Sequence, residues 1–277
     1  MRRPLTTDPV LVPFFTDATY QRNEPTHPPW FVHNNLQPSK LYHNGVLVSE
    51  ETGSHDLNLA AAWSIQPSGV KVGVIDMTDH AARALDLVKT VSPSSEVVLE
   101  PVARWLPDLF ATAINNLVAS GCKIINMSMG WSTPNTLLRD ALVAADNAGV
   151  LVCYSVPNVE GNLDTTLTDY PYKWHLPNLL PVNCTDRNGK HYVPSASGSL
   201  VIGAPGRNIV AAGTYTSGTS WACPITAGCM SLVMAHFPGH TPQQYINRIM
   251  ATRDGGRINV VRLLQDPRTS PKLWNDW

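Results

Sequence analysis

Four residues of this sequence stand where a single reaction could use all of them: Asp76, His80, Asn158 and Ser220. Ser220 lies in Gly218-Thr219-Ser220-Trp221-Ala222-Cys223-Pro224, a small hydroxyl-bearing turn opening an apolar run that continues to about Phe237. A serine at that junction sits at a helix N-terminus, where unpaired N–H groups and the positive end of the helix dipole face its hydroxyl. Acyl transfer needs that setting, because its tetrahedral intermediate carries a new negative charge on oxygen. Alone, a Gly-Thr-Ser is most often a helix cap. Its company changes the reading. Asp76 ends a strand-like run and His80 follows it after three residues, which can span up to about 13 Å, ample for a carboxylate–imidazole contact. Together the four form an acyl-transfer set: Ser220 attacks, His80 takes and returns the proton, and Asp76 orients the imidazole. The Asn158 amide and the Ser220 N–H then hold the oxyanion.

These residues must be brought together by the elements between them. Val70 to Ile75 is a short β-branched run suited to a buried parallel strand, and residues 81–91 have helical spacing. Further strands are expected at 96–102, 123–127, 150–155, 179–183, 199–202 and 208–212, with Ala204-Pro205-Gly206 as a turn. Helices are expected at 57–64, 109–120, 136–148 and from Ser220 to about Phe237, and residues 242–250 and 259–264 close the domain. Strands alternating with helices predict a three-layer α/β/α domain with a mostly parallel central sheet over residues 57–264. In such a sheet, chemistry collects beyond the C-terminal strand ends, where Asp76 and Asn158 fall. Residues 1–56 hold seven prolines and no sustained periodicity, so they read as an irregular N-terminal arm that Trp30, Phe31 and Val32 could pin down. Residues 265–277 read as a C-terminal tail.

Composition narrows the classes. Charged residues are 15% and the net charge is −1, which gives no electrostatic case for nucleic acid or an anionic membrane surface. No apolar run reaches the roughly 18 residues of a membrane span. Five cysteines at 122, 153, 184, 223 and 229, without a CxxC, read as buried free thiols. With no apolar leader behind Arg2-Arg3, they favour a reducing, cytoplasmic setting. Histidines 27, 33, 43 and 55 have no metal-ligand spacing. Neither a metal nor a cofactor is expected, and the oligomeric state is open.

The motifs resemble the subtilisin family of serine peptidases, in the family's order and over roughly Leu57 to Leu264. VGVID at 72–76 resembles its aspartate motif, INMSMG at 125–130 its substrate-pairing strand, and 150–161 its oxyanion-asparagine region. APG at 204–206 with GTSWACP at 218–224 resembles its serine motif, and GRINVVRLL at 256–264 its closing segment. The histidine motif departs from the family: the usual long loop after the aspartate is missing, and His80 is followed by Ala81-Ala82-Arg83. His55 is the alternative source of an imidazole. The resemblance implies an endopeptidase acting on an extended peptide or protein, with Ser128, Met129 and Gly130 offering backbone to it. Ser155, Val156 and Pro157 would wall the pocket for the residue before the cut (P1), Pro157 replacing a usual glycine. Counting back from Tyr170-Pro171, Asp169 falls at the base of that pocket, which implies a basic P1 residue. Calcium, frequent in the family, has no dense Asp/Asn cluster to hold it here. A catalytically inactive binding module and a peptide cyclase or ligase using the same triad are the alternatives.

Overall fold

The computed structural model describes residues 20–22, 39–43, 46–51, 56–192 and 194–267. The stretch expected to be irregular contains three short strands, β1 (Tyr20–Arg22), β2 (Ser39–His43) and β3 (Val46–Glu51), paired antiparallel in that order. His43 stands opposite Val46, and between them the sequence carries Asn-Gly, the dipeptide most favoured in two-residue hairpins. That signal corrects the reading of 1–56 as wholly irregular. Trp30 to Val32, His27, His33, His55 and the tail beyond residue 267 lie outside the described residues.

From residue 59 the chain alternates as expected. Its elements are α1 (Leu59–Ile65), β4 (Val72–Asp76), α2 (Thr78–Val91), β5 (Val97–Pro101), α3 (Pro107–Ala119), β6 (Ile124–Met127), α4 (Thr136–Asn147) and β7 (Leu151–Ser155). A 3-10 turn (Tyr172–Trp174) precedes β8 (Leu179–Thr185) and β9 (Ile202–Pro205). The hairpin β10 (Ile209–Ala211) and β11 (Thr214–Thr216) leads into α5 (Thr219–His236), then α6 (Pro242–Thr252) and α7 (Val260–Gln265). Six strands make one parallel sheet in the order β5-β4-β6-β7-β8-β9. All its strands but the edge strand β5, where Leu99 is 38% exposed, are buried on both sides, because successive residues feed opposite layers. Val72, Val74, Ile124, Leu151 and Cys153 pack with α2 and α5, while Ile75, Ile125, Met127, Val152 and Tyr154 pack with α3 and α4. α5 is buried on every side from Trp221 to Met234, so its sequence is apolar without a polar stripe.

Strand order reverses direction between β4 and β6, which opens a crevice at their C-terminal ends. Asp76 ends the first of these strands and Ser128 follows the second. Two expectations move. The strand placed at 199–202 is at 202–205, because Ser199 and Leu200 are exposed and the pairing runs from Val182↔Ile202 to Thr185↔Pro205. Ala204-Pro205 is therefore strand rather than turn, and β9 tolerates the proline because it is an edge strand.

Candidate active site

The Asp76 carboxylate at the end of β4 is fully buried, and both its oxygens are engaged. Oδ1 accepts the Met77 N–H at 2.8 Å, and Oδ2 stands 2.6 Å from Nδ1 of His80. The imidazole belongs to the first turn of α2, so one strand-to-helix junction builds the pair without the missing loop. Burial pushes the Asp76 carboxyl up, against hydrogen bonds from His80 and Met77 that pull it down. His80 is further enclosed by two indoles: Trp221 lies against it with ring centroids 4.1 Å apart, and Trp105 meets it edge-on at 6.1 Å.

Ser220 stands in the first turn of α5, whose entry depends on Gly218. Its φ of 144° suits glycine, its N–H donates to the Gly206 carbonyl at 2.9 Å, and an added Cβ would stand 3.3 Å from Asn158 Oδ1. Four residues beyond Ser220, Pro224 lies within the helix and has no N–H to return to the Ser220 carbonyl. That carbonyl instead accepts the Ser128 hydroxyl at 3.1 Å, and Ser128 Oγ in turn accepts from Asn126 Nδ2 at 3.2 Å. A missing helical bond thus ties the serine to the segment after β6.

Asn158 is oriented from the same turn. Its Oδ1 accepts the Thr219 N–H at 2.9 Å, while the Thr219 hydroxyl donates to the Val156 carbonyl at 2.7 Å. An acceptor fixed in this way leaves the side-chain NH2 to serve as donor. His80, Trp105, Ser128, Met129, Gly130, Ser155, Val156, Pro157, Asn158, Val159 and Ser220 line one open cleft of about 160 Å³. Ser220 and His80 both line this cleft, and no hydrogen bond joins their side chains. Cys223, one turn further on, is fully buried, and burial holds its thiol well above the usual range, so it cannot act as a nucleophile.

Asp169 does not line the cleft. It lies one layer beneath, where a reciprocal pair of backbone bonds between Trp131 and Tyr170, at 2.8 and 2.7 Å, clamps the two segments together. A Cβ on Gly130 would come within 2.3 Å of Asp169 Oδ1, so only glycine lets the carboxylate approach the cleft floor. Asp169 is 1% exposed, its Oδ2 has no hydrogen-bond partner, and burial raises its carboxyl to about 7. The Tyr154 hydroxyl is also buried and without a partner, and burial, with the Asp169 charge nearby, holds it well above the usual tyrosine range. Met129 gives its own N–H to the Met127 carbonyl at 2.8 Å, which leaves Ser128 and Gly130, two residues apart, as the positions that share one side of the segment.

Sequence reasoning missed Trp105, Val159 and Thr219. The first follows β5 at the same rim as Asp76, and that position was its available signal. Thr219 read only as a cap, because its hold on Asn158 joins residues 61 apart.

Comparison with known proteins agrees with this architecture. The subtilase family model matches residues 104–266. A thermostable alkaline protease of Halalkalibacterium halodurans is 31% identical over 216 residues, covering 74% of this chain and 55% of that protein. Subtilisin E of Bacillus subtilis is 27% identical over 226 residues, 75% of this chain and 59% of its own. Among solved structures, the prenylagaramide maturation protease PagA superposes with a TM-score of 0.63 at 20% identity, over 75% of this chain and 97% of that one. MycP1 with its N-terminal propeptide removed gives 0.66 at 19%, over 78% and 97%. The fold is that of the subtilisin-like proteases. The chain belongs to the subtilase family. It spans little more than half the length of these two curated relatives, and the family match begins beyond Asp76 and His80. Among the described residues no helix is long and apolar enough to cross a membrane.

Proposed function

We propose that this protein is a serine endopeptidase in which Ser220 is the nucleophile, His80 the general base and acid, and Asp76 the orienter of His80. The observation that carries this reading is the 2.6 Å Asp76–His80 contact opening on the cleft that Ser220 also lines. Attack by Ser220 Oγ on a peptide carbonyl passes its proton to His80 Nε2. The buried Asp76 carboxylate favours the imidazolium that results. The imidazole then protonates the leaving amine, and water repeats the sequence on the acyl-enzyme. The Ser220–His80 hydrogen bond must tighten as substrate docks, as catalytic contacts commonly do. The built Asp76–His80 pair also weighs against an inactive module.

The Asn158 NH2 and the Ser220 N–H are the oxyanion donors. Asn158→Leu is expected to lower kcat by roughly 10²–10³ with little change in KM, since the lost bond forms chiefly in the transition state. Asp169, with Tyr154 beside it, favours Lys or Arg at P1, because a buried carboxylate is stabilised by a paired cation. The relatives' names describe proteases and the solved structures include a maturation protease, which supports peptide or protein as substrate.

A fluorophosphonate probe tests the nucleophile. It is expected to label the wild type once, at Ser220, and to leave Ser220→Ala unlabelled. Labelling that persists in Ser220→Ala, or none in a folded wild type, would remove the hydrolase reading.

A further inference from the structure

We propose that Trp221 is a positioning residue for His80, holding the imidazole in its reactive plane and favouring its charged form. The proposal rests on His80 being the base. In this chain the Asp–His connection is three residues long, and Asp76 fixes only one ring nitrogen. A single hydrogen bond leaves the ring free to swing about it. Trp221 removes that freedom: its indole lies 31° from the imidazole plane with centroids 4.1 Å apart, close enough for continuous ring-to-ring contact. Trp105 closes the adjoining side edge-on. With Nδ1 tied to Asp76 and one face covered, Nε2 is left to the cleft.

The indole is itself held. Trp221 is 6% exposed, within the buried run of α5, and follows Ser220 directly in the chain. The helix that places the nucleophile therefore also places the wall against which the base rests. The face of an indole attracts a cation within about 6 Å, so this contact strengthens when His80 takes the serine proton. The charged groups bearing on the pair are Asp76, bonded to the imidazole, and Arg83, whose guanidinium carbon lies 6.0 Å from the Trp221 ring centroid. Trp221 is not among the residues that line the cleft, whereas His80 is, so its effect passes through His80.

The test compares wild type with Trp221→Leu, Trp221→Met and Trp221→Phe, with active sites counted by fluorophosphonate. The leucine and methionine variants are expected to lose about tenfold to a hundredfold in kcat with KM within about twofold, while phenylalanine restores most of the rate. The His80 ring signals, identified by their absence from His80→Ala, are expected to move downfield in the leucine variant as the indole's shielding is lost. Two outcomes overturn the proposal. One is a folded leucine or methionine variant with kcat within twofold of wild type; the other is a His80 signal unmoved by the substitution. If His80→Ala itself keeps the wild-type rate, the base assignment fails instead, a result visible without any Trp221 variant.

Discussion

His80→Ala is expected to lower kcat/KM by on the order of 10⁴–10⁶, a scale set by subtilisin, where nucleophile and base act as one unit. The substitution also removes the partner of Asp76 Oδ2 and leaves a fully buried carboxyl with the Met77 N–H. That should cost about 1–3 kcal/mol of stability, too little to account for such a rate loss in a chain that remains folded. Circular dichroism and a thermal melt beside the kinetics separate the two effects. A folded variant within tenfold of wild type would mean that another ring serves Ser220, and His55 would be the first to examine.

Asp169→Asn is expected to abolish the preference for arginine over leucine at P1. For the wild type we expect kcat/KM at pH 8 to favour arginine by about tenfold to a hundredfold, equivalent to 1.4–2.7 kcal/mol. Because burial raises this carboxyl to about 7, the charge exists chiefly above that pH. The arginine-to-leucine ratio should therefore climb from pH 6 to pH 8, and taking the ratio cancels any titration of the triad. Stability moves the other way. Between the unfolded carboxyl's pKa near 3.9 and the folded value near 7, the native state binds the extra proton, so stability falls as pH rises through that window. The loss reaches up to about 4 kcal/mol above pH 7, and the asparagine variant should not show it. Equal cleavage of arginine and leucine peptides by the wild type at pH 8 would show that Asp169 does not read the substrate.

The fold was legible because its signals are local. Unbroken apolar runs such as Val72–Ile75 and Leu151–Cys153 mark strands covered on both faces, and glycines at 121 and 149 end α3 and α4 where φ turns positive. Asp76, His80, Asn158 and Ser220 could be named because each falls at an element's end, a position that pattern reading finds. What escaped was contact between distant residues. Nothing in the spelling of Trp221 says that it lies on His80, and nothing in Thr219 says that it holds Asn158. The misplaced β9 has a simpler cause: Val201 and Ile202 look alike in sequence, and only pairing with β8 decides which residues join the sheet.

The Asp76–His80 junction has a consequence for how the enzyme is assembled. Three intervening residues keep the carboxylate and the imidazole near each other in the chain, so the proposed acid–base pair belongs to a single strand-to-helix corner. Ser220, 140 residues beyond His80, joins this corner through α5, which also lays Trp221 against the imidazole. On the proposed roles, activity therefore requires α5 in place, because that one helix carries both the nucleophile and the ring against which the base rests.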